Sequence, residues 1–397
     1  MKKKLLLLVL FSTMTLPLLT GCGSVSNAGV SQPAPSPTPS TPSPSPAPTP
    51  VVSAASRFIY GIQTFESSIG YAGGQISSST GQITSVGAPF NDSGLGQNIV
   101  IQLIADPQGR FLYALNLGAS AGGGLIGTPG IAELQINRQT GALARVPGSP
   151  IMFASRRLST LAIDKSGHFL YQPNAGVFDI YTIDQSTGLL TKTASSSTAA
   201  SIGDFTAVSP DGRFLFNASD TMVEALSIDT AGNLTVASPP VLTGGSAIGA
   251  AGQLAVSLDN KFLYVLNQGN VAIFNIGSTG TLTPVIGSPF TTDQGGRGFA
   301  LTPDGKRLYV AFQPSGSNFI KGFTFDSMAN TLTPIGGAVI SDNASTVTVD
   351  GSGKFAFITE AGQLSSFSID PASGALTRVS QTAQPISEDP QSMVVVP

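Results

Sequence analysis

The residues of this chain that could do chemistry are charged and amide side chains, each next to a short apolar stretch. Arginine together with aspartate or glutamate could hold an anionic ligand, or polarise a carbonyl group, through charge-assisted hydrogen bonds. The alternative is that these residues are solvated loop positions without a ligand, and the sequence leaves both open. The candidates are Arg157 in "SRRLST", Asp204 in "SIGDFT", Gln253 in "AAGQLAV", Arg297 in "QGGRGFA", Glu360 in "ITEAGQL" and Gln391 in "DPQSMV".

Histidine chemistry is restricted to one residue, His168 in "KSGHFLY". A Ser-His-Asp triad would have to use this residue, and a metal site built on histidine would need more of them. In the repeat described below, the slot of His168 is filled elsewhere by Arg110, Arg213 and Lys261. This pattern predicts an exposed turn residue rather than a catalytic one. We expect no metal site and no cofactor.

Two other patterns suggest ligand binding but have simpler explanations. The stretch "GGGLIG" (122–127) satisfies the G-x-G-x-x-G pattern, but no predicted helix follows it. Phosphate binding by this pattern needs a helix N-terminus, so a flexible loop is predicted. Single aspartates recur in predicted turns, where capping of the turn explains them better than calcium binding does. These aspartates are Asp106, Asp164, Asp211, Asp259 and Asp304.

The N-terminus is typical of a bacterial lipoprotein signal. Three lysines precede an apolar run that begins with "LLLLVLF" (5–11) and ends in "LTGC" at Cys22, the only cysteine in the chain. The run is too short for a comfortable membrane span of about 20 residues. We predict a signal peptide over residues 1–21 and lipidation of Cys22; the alternative is an ordinary secretory signal. Gly23 is no inner-membrane retention signal, so the outer membrane is the expected location in a Gram-negative cell.

Residues 22–55 predict a disordered stalk. The segment "SQPAPSPTPSTPSPSPAPTP" (31–50) carries nine prolines and favours polyproline II, which would extend roughly 60 Å at about 3.1 Å per residue. Removing the three N-terminal lysines from the 19 basic residues leaves 16 against 22 acidic ones. Because no basic block remains, no nucleic acid partner is expected.

The rest of the chain repeats one phrase, seen most clearly in "SPDGRFLF". Each phrase predicts two strands joined by a tight turn, and a second recurrent turn of the type "STGTL" adds a third and a fourth strand. Four short strands in every 45–58 residues predict an all-β, seven-bladed β-propeller with four-stranded blades over residues 56–397. The residue that leads the second strand of each unit, here called the lead residue, is Phe58, Phe111, Phe169, Phe214, Phe262, Arg307 or Phe355.

The two ends of this region predict how the ring closes. The first unit lacks an opening strand, whereas "SMVVVP" (392–397) is an opening strand that nothing follows. We expect the C-terminal strand to pair into blade one, which removes two exposed sheet edges. The connections between second and third strands are lengthened in three units, and long loops on one face of a rigid ring usually carry binding. They are 61–74, 116–130 and 312–319.

The phrases "SPDGRFLF", "SLDNKFLYVLN" and "TPDGKRLYVAF", each followed by the second turn, resemble those of the lactonase-type seven-bladed propellers. This family includes the 6-phosphogluconolactonases and the YVTN-repeat surface proteins. The resemblance covers residues 56–397. It implies a ring-opening lactone hydrolase with histidine, glutamate and arginine at the mouth of the central channel. This sequence departs from that pattern, because His168 is expected beside a turn on the opposite face.

Three functions therefore remain open, and with them the question of whether the chain is an enzyme. The first is a monomeric, lipid-anchored binding or scaffold module of the cell envelope, which takes a small anionic ligand, a carbohydrate or a protein on its top face. The second is a lactone hydrolase with Asp204 or Glu360 as base and Arg157 or Arg297 as charged donors. The third is a passive structural protein of the envelope.

Overall fold

The computed structural model describes the chain from Arg57 to Val396 with short gaps. All regular structure in these residues is β, and no helix that could cross a membrane occurs among them. The predicted signal peptide, Cys22 and the proline-rich stretch lie outside the described residues. The described ranges are 57–64, 69–92, 98–121, 124–126, 129–153, 159–174, 176–197, 203, 205–219, 221–244, 254–314, 318–337, 339–340, 344–360, 362–385 and 393–396.

The described strands form seven antiparallel sheets, one for each predicted blade. The first strands of successive blades contact one another around a ring, so they are called inner strands and the last ones outer strands. Three blades have four uninterrupted strands. Blade 3 consists of Ala162–Ile163, Phe169–Asn174, Val177–Ile183 and Leu190–Ser197. Blade 4 consists of Phe205–Val208, Phe214–Ala218, Met222–Ile228 and Leu234–Leu242. Blade 7 consists of Thr346–Val349, Phe355–Glu360, Gln363–Ile369 and Leu376–Pro385.

In the other four blades the outer strand is split into two short pieces. Blade 1 consists of Met393–Val396, Arg57–Thr64, Ile69–Ile76, Ile83–Ser85 and Phe90–Asp92. Blade 2 consists of Asn98–Ala105, Phe111–Ala121, Gly124–Ile126, Gly130–Ile136, Leu143–Arg145 and Ile151–Met152. Blade 5 consists of Leu254–Val256, Phe262–Asn267, Asn270–Ile276, Leu282–Pro284 and Phe290–Thr291. Blade 6 consists of Gly296–Leu301, Arg307–Phe312, Phe319–Asp326, Thr331–Pro334 and Val339–Ile340.

The turn between inner and second strand is closed by a short polar side chain. In blade 2 the backbone N–H of Phe111 donates to Asp106 Oδ1 at 2.8 Å. In blade 4 the N–H of Phe214 donates to Ser209 Oγ at 2.9 Å. The capping role predicted for the turn aspartates is therefore confirmed for Asp106. It is confirmed in the same way for Asp164. Asp211, Asp259 and Asp304 each accept the backbone N–H two residues later, and they also accept the hydroxyl of Ser209, Ser257 or Thr302, which caps the N–H of the lead residue.

The lead residue of one blade packs on the second recurrent turn of the next blade. A Cβ atom added to Gly141 of blade 2 would lie 2.6 Å from the ring of Phe58 in blade 1, so only glycine lets the ring approach this closely. The contact recurs around the ring. The pairs are Phe58 on Gly141, Phe111 on Gly188, Phe169 on Gly232, Phe214 on Gly280, Arg307 on Gly374 and, between the last blade and the first, Phe355 on Gly81.

A hydrogen bond reinforces this docking contact two residues further along the second strand. Tyr60 donates its hydroxyl to the carbonyl of Gly141 at 2.8 Å, and Tyr309 donates to that of Gly374 at 2.7 Å. Both tyrosines are fully buried. The glycine turn is thus held by a ring and a hydroxyl at once, which fixes the angle between neighbouring blades.

The ring closes as the sequence predicts. Met393–Val396 pairs antiparallel with Arg57–Thr64, so that Val395 lies opposite Ile59. Val396 is completely buried, and Met393 packs with Ile59 and Phe357 in a cluster shared by blades 1 and 7. An ion pair between Arg57 Nη1 and Asp350 Oδ2 at 2.6 Å adds a second link between these blades.

Substitution of Gly141 by alanine tests the docking contact. Gly141 has φ +73° and its added Cβ would meet the Phe58 ring, whereas Gly87 has φ +61° with nothing within 4 Å of its added Cβ. Gly87→Ala should therefore cost only the backbone strain, about 1–2 kcal/mol. Gly141→Ala should cost at least about 3 kcal/mol, because overpacking adds to that strain. Denaturant unfolding measures both, and equal costs would contradict the docking role.

Candidate functional site

The candidate site is the end of the ring at which the inner strands begin, here called the channel mouth. Because strands alternate in direction, the connections between blades and those between second and third strands meet at this end. The two recurrent turns lie at the other end. In the described part of the wall, side chains bond neighbouring inner strands. Gln102 of blade 2 bonds both backbone groups of Leu161 in blade 3, at 3.1 and 2.5 Å, and Thr160 bonds Thr206 of blade 4 at 3.1 Å.

Arg297 is an exposed cation at the start of the inner strand of blade 6. The pairing register shifts between Gly296 and Gly298, so Arg297 is the extra residue of a β-bulge. A bulged residue is turned out of the ladder, and bulges occur often beside active sites for this reason. Four residues earlier, Asp293 accepts a 2.8 Å ion pair from Lys321. The start of this blade therefore carries two cations and one carboxylate.

Glu360 has a different environment from the one expected for a base at the mouth. It ends the second strand of blade 7 and is only 2% exposed. Ser365 donates a hydrogen bond to its Oε1, and Arg378 forms an ion pair with the same oxygen. Arg378 also lies over the ring of Phe367, 4.9 Å from its centroid. These contacts make the carboxylate a structural element of blade 7.

The remaining predicted candidates, Arg157, Asp204, Gln253 and Gln391, lie outside the described residues. His168 is described, and it is exposed in the first hairpin turn of blade 3 as predicted. Its Nδ1 lies 2.8 Å from the hydroxyl of Ser166 in the same turn. The only histidine of the chain is thus at the end opposite the channel mouth.

The lengthened connections are partly ordered as strand extensions. In blade 2 the second strand continues to Ala121, and Gly124–Ile126 folds back to pair with it. The prediction of a flexible loop over "GGGLIG" is therefore wrong for these three residues. Pairing gives partners to backbone groups that a loop would leave to water. Blade 1 has a comparable extension, with eight residues in each of Arg57–Thr64 and Ile69–Ile76. Blades 1 and 2 thus each carry an extended hairpin at the channel mouth.

Sequence reasoning missed three buried carboxyl groups in third strands, those of Glu133, Asp179 and Glu224. Glu133 of blade 2 is fully buried, and burial raises its pKa above the ordinary value. Glu224 of blade 4 is 2% exposed, and burial raises its pKa to about 7. The only signal was a charged residue inside a run of apolar ones. No cluster of three or more histidine, cysteine or carboxylate side chains that could hold a metal ion occurs within the described ranges.

A closed ring of seven four-stranded blades, with polar groups along its inner strands, defines this chain as a seven-bladed β-propeller. The family model described as lactonase, 7-bladed β-propeller matches residues 45–349. The chain belongs to this family. The match ends with the inner strand of blade 7, and the structure adds the three remaining strands of that blade and the closing strand.

Solved structures agree with this fold. A Bacteroides uniformis protein, provisionally named a 6-phosphogluconolactonase, superimposes with a TM-score of 0.69 at 19% identity, over 86% of this chain and 99% of the other. The periplasmic gluconolactonase of Pseudomonas aeruginosa gives 0.68 at 18% identity, over 87% and 99%. At these identities the likeness shows the fold alone. No curated protein matches the sequence.

Arg297 at the channel mouth and Arg378 on the outer strand of blade 7 should respond differently to the same substitution. Arg378→Met leaves the buried carboxylate of Glu360 without its cation, so it should lower the free energy of unfolding by about 2 kcal/mol, less than a fully buried pair would lose. Arg297→Met, at an exposed bulge, should change it by less than about 0.5 kcal/mol. Urea unfolding compares them. A loss at Arg297 as large as at Arg378 would mean that Arg297 is structural.

Proposed function

We propose that this chain is a lipid-anchored, extracytoplasmic propeller that binds a small anionic ligand, a sugar acid or its lactone, at the channel mouth. The observation that carries the proposal is the placement of Arg297. An exposed guanidinium on a bulge at the start of an inner strand is positioned to donate two parallel hydrogen bonds to a carboxylate or phosphate. The names of the structural neighbours support a sugar acid or lactone as the ligand class.

The positions and contacts of the described titratable groups support binding without hydrolysis. Lactone hydrolysis needs a group that takes a proton from water and donors that stabilise the oxyanion. His168 lies in a turn at the other end of the ring. The carboxylate of Glu360 is engaged by Ser365 and Arg378, so it does not face the channel as an open base.

A lactone hydrolase is the second candidate, and membership of the lactonase family favours it. In this case Asp204 would be the base, with Arg157 or Arg297 as the charged donor. An unperturbed aspartate is a weak base at neutral pH, and neighbouring arginines would lower its pKa further. The hydrolase therefore needs a feature of the mouth beyond the described residues.

Ligand binding can be measured by calorimetry on the mature chain carrying Cys22→Ala, with 6-phosphogluconate and gluconate as probes. We expect binding that weakens at least about tenfold in Arg297→Met, because a charge-assisted hydrogen bond contributes about 1.5–3 kcal/mol. His168→Asn is the control and should bind like the parent. Binding of both anions that is unchanged in Arg297→Met would contradict the proposed site.

An activity assay on the parent chain and its variants distinguishes ligand binding from hydrolysis. With 6-phosphogluconolactone we expect no hydrolysis above the spontaneous rate. Turnover that disappears in Arg157→Met or Arg297→Met would establish the hydrolase, and turnover unaffected by either would place the chemistry elsewhere on the ring. A chain that neither binds nor hydrolyses these compounds would fit a passive envelope protein.

The lipid anchor is tested by Cys22→Ala. Lipidation needs the thiol, and Cys22 is the only cysteine. The full-length precursor should fractionate with membranes and resist high-salt washing, whereas the variant should be recovered in the soluble extracytoplasmic fraction. A variant that remains with washed membranes would refute anchoring through Cys22.

A further inference from the structure

Two blades carry a cation at the same position of the outer strand. It neutralises a buried carboxylate on the third strand in blade 3 and on the second strand in blade 7. In blade 3, Lys192 Nζ on the outer strand lies 2.7 Å from Asp179 Oδ1 on the third strand, and Ser195 donates to the same carboxylate. In blade 7, Arg378 on the outer strand pairs with Glu360 and also donates to Ser365 on the third strand at 2.8 Å. In both blades the cation stands on the outer strand and neutralises a buried carboxylate.

Blade 4 has the third-strand carboxyl group of blade 3 without the cation. Asp179 lies three residues before Thr182, which pairs with the lead residue of blade 3. Glu224 lies three residues before Ser227, which pairs with the lead residue of blade 4, so it occupies the same position.

The outer strand of blade 4 shows what replaces the cation. Lys192 pairs with Tyr181 in blade 3, Arg378 pairs with Phe367 in blade 7, and Val236 pairs with Leu226 at the same point of blade 4. Glu224 is buried, and neither of its carboxyl oxygens has a hydrogen-bond partner among the described residues.

Without the cation, the pKa of the carboxyl group is shifted in the opposite direction. Burial raises the pKa of Asp179, but the hydrogen bonds from Lys192, Asn174 and Ser195 outweigh it, and the pKa lies below the ordinary value. Burial raises the pKa of Glu224 to about 7, with no opposing group.

Among the residues that the structure describes, no charged group shifts this balance at Glu224. Blade 3 presents Tyr171, Phe178 and Ile180 to this side of blade 4. Tyr171 is the titratable one, and the carboxylates that act on it, Asp164 and Asp229, do not contribute at Glu224.

The residue paired with Glu224 across the sheet holds the start of the inner strand. Asn217 lies opposite Glu224 in register. Its amide N–H groups donate to the carbonyls of Gly203 and Phe205, both at 3.0 Å, and its Oδ1 accepts the N–H of Gly203 at 2.7 Å. Gly203 fits because a Cβ atom there would overlap the carbonyl of Ala218. Asn217 thus clamps the channel-mouth end of blade 4.

We propose that Glu224 is a proton-operated switch on this clamp. When Glu224 is protonated, its neutral carboxyl group does not compete for the Asn217 amide, which stays bonded to Gly203 and Phe205. When the proton is released to solvent, the buried carboxylate draws the Asn217 amide, its cross-strand neighbour, and the start of the inner strand loosens. The switch acts on the scaffold and does not depend on the ligand proposed above.

The direction of the pH dependence follows from the raised pKa. Folding favours the protonated form, because the pKa of Glu224 in the folded chain lies above the ordinary value of 4.5. The contacts around Glu224 are therefore strongest at low pH and weaken as the pH rises through about 7.

Hydrogen exchange on the mature chain carrying Cys22→Ala tests the switch. The protection factor of the Gly203 amide, which corrects for the pH dependence of intrinsic exchange, should fall at least about tenfold between pH 5.5 and 8.5. Most of the fall should occur over the roughly 1.5 pH units from 5.5 to the pKa of Glu224, where the closed chain still holds a proton that the opened chain has released. The Thr346 amide begins the inner strand of blade 7 and donates to Thr359 Oγ1, so it is an internal control and should not change. In Glu224→Gln the Gly203 amide should stay protected at both pH values.

Val236→Lys supplies the cation that blades 3 and 7 have. Val236 is 41% exposed, so the substitution should not impair folding. Ionised Glu224 then gains a partner, and Gly203 should remain protected at pH 8.5. The double variant Glu224→Gln/Val236→Lys should behave like Glu224→Gln alone. A fall in protection that persists in Glu224→Gln, or that Val236→Lys leaves unchanged, would overturn the proposal.

Discussion

The ring depends on one contact repeated between six of its seven neighbouring blade pairs, the docking of the lead residue of one blade on the glycine turn of the next. The aromatic ring and the tyrosine hydroxyl two residues later hold the same turn, as Phe58 and Tyr60 hold Gly141. A side chain at that glycine would collide with the ring, so contact and backbone conformation require each other. Phe355 makes the same contact with Gly81 and so joins the last blade to the first. The two recurrent phrases of the sequence form the two sides of this interface. The first phrase supplies the lead residue, and the second supplies the glycine turn.

Because docking occurs at the end of the ring that carries the recurrent turns, the channel mouth is free to vary. Blades 1 and 2 raise extended hairpins there, and blade 6 turns Arg297 out of its ladder through a bulge. The crevices between blades vary as well. Asp179 and Glu360 are neutralised by outer-strand cations, whereas Glu224 is not, because Val236 replaces the cation. Differences between otherwise equivalent blades therefore mark where function and regulation can reside.

Family membership and site chemistry carry different information about this protein. The family match and the structural neighbours agree on the propeller. Among the described side chains, the one histidine is at the far end of the ring, Glu360 is engaged within blade 7, and Arg297 is the exposed cation of the blade 6 bulge. One fold can support many activities, and the residues of the site determine which activity a protein has.

The sequence by itself determined the blade count, the lead residues, the capping of the first turn and the closure by the C-terminal strand. Each of these is a local pattern, repeated at a spacing that only one architecture satisfies. Only the tertiary structure decided which carboxyl groups are neutralised, because Glu360 and Arg378 meet across two strand pairings, and the missing cation at Glu224 is visible only when blades are compared in register. Burial and pairing arise from contacts between distant residues, and no local pattern in the chain reports them.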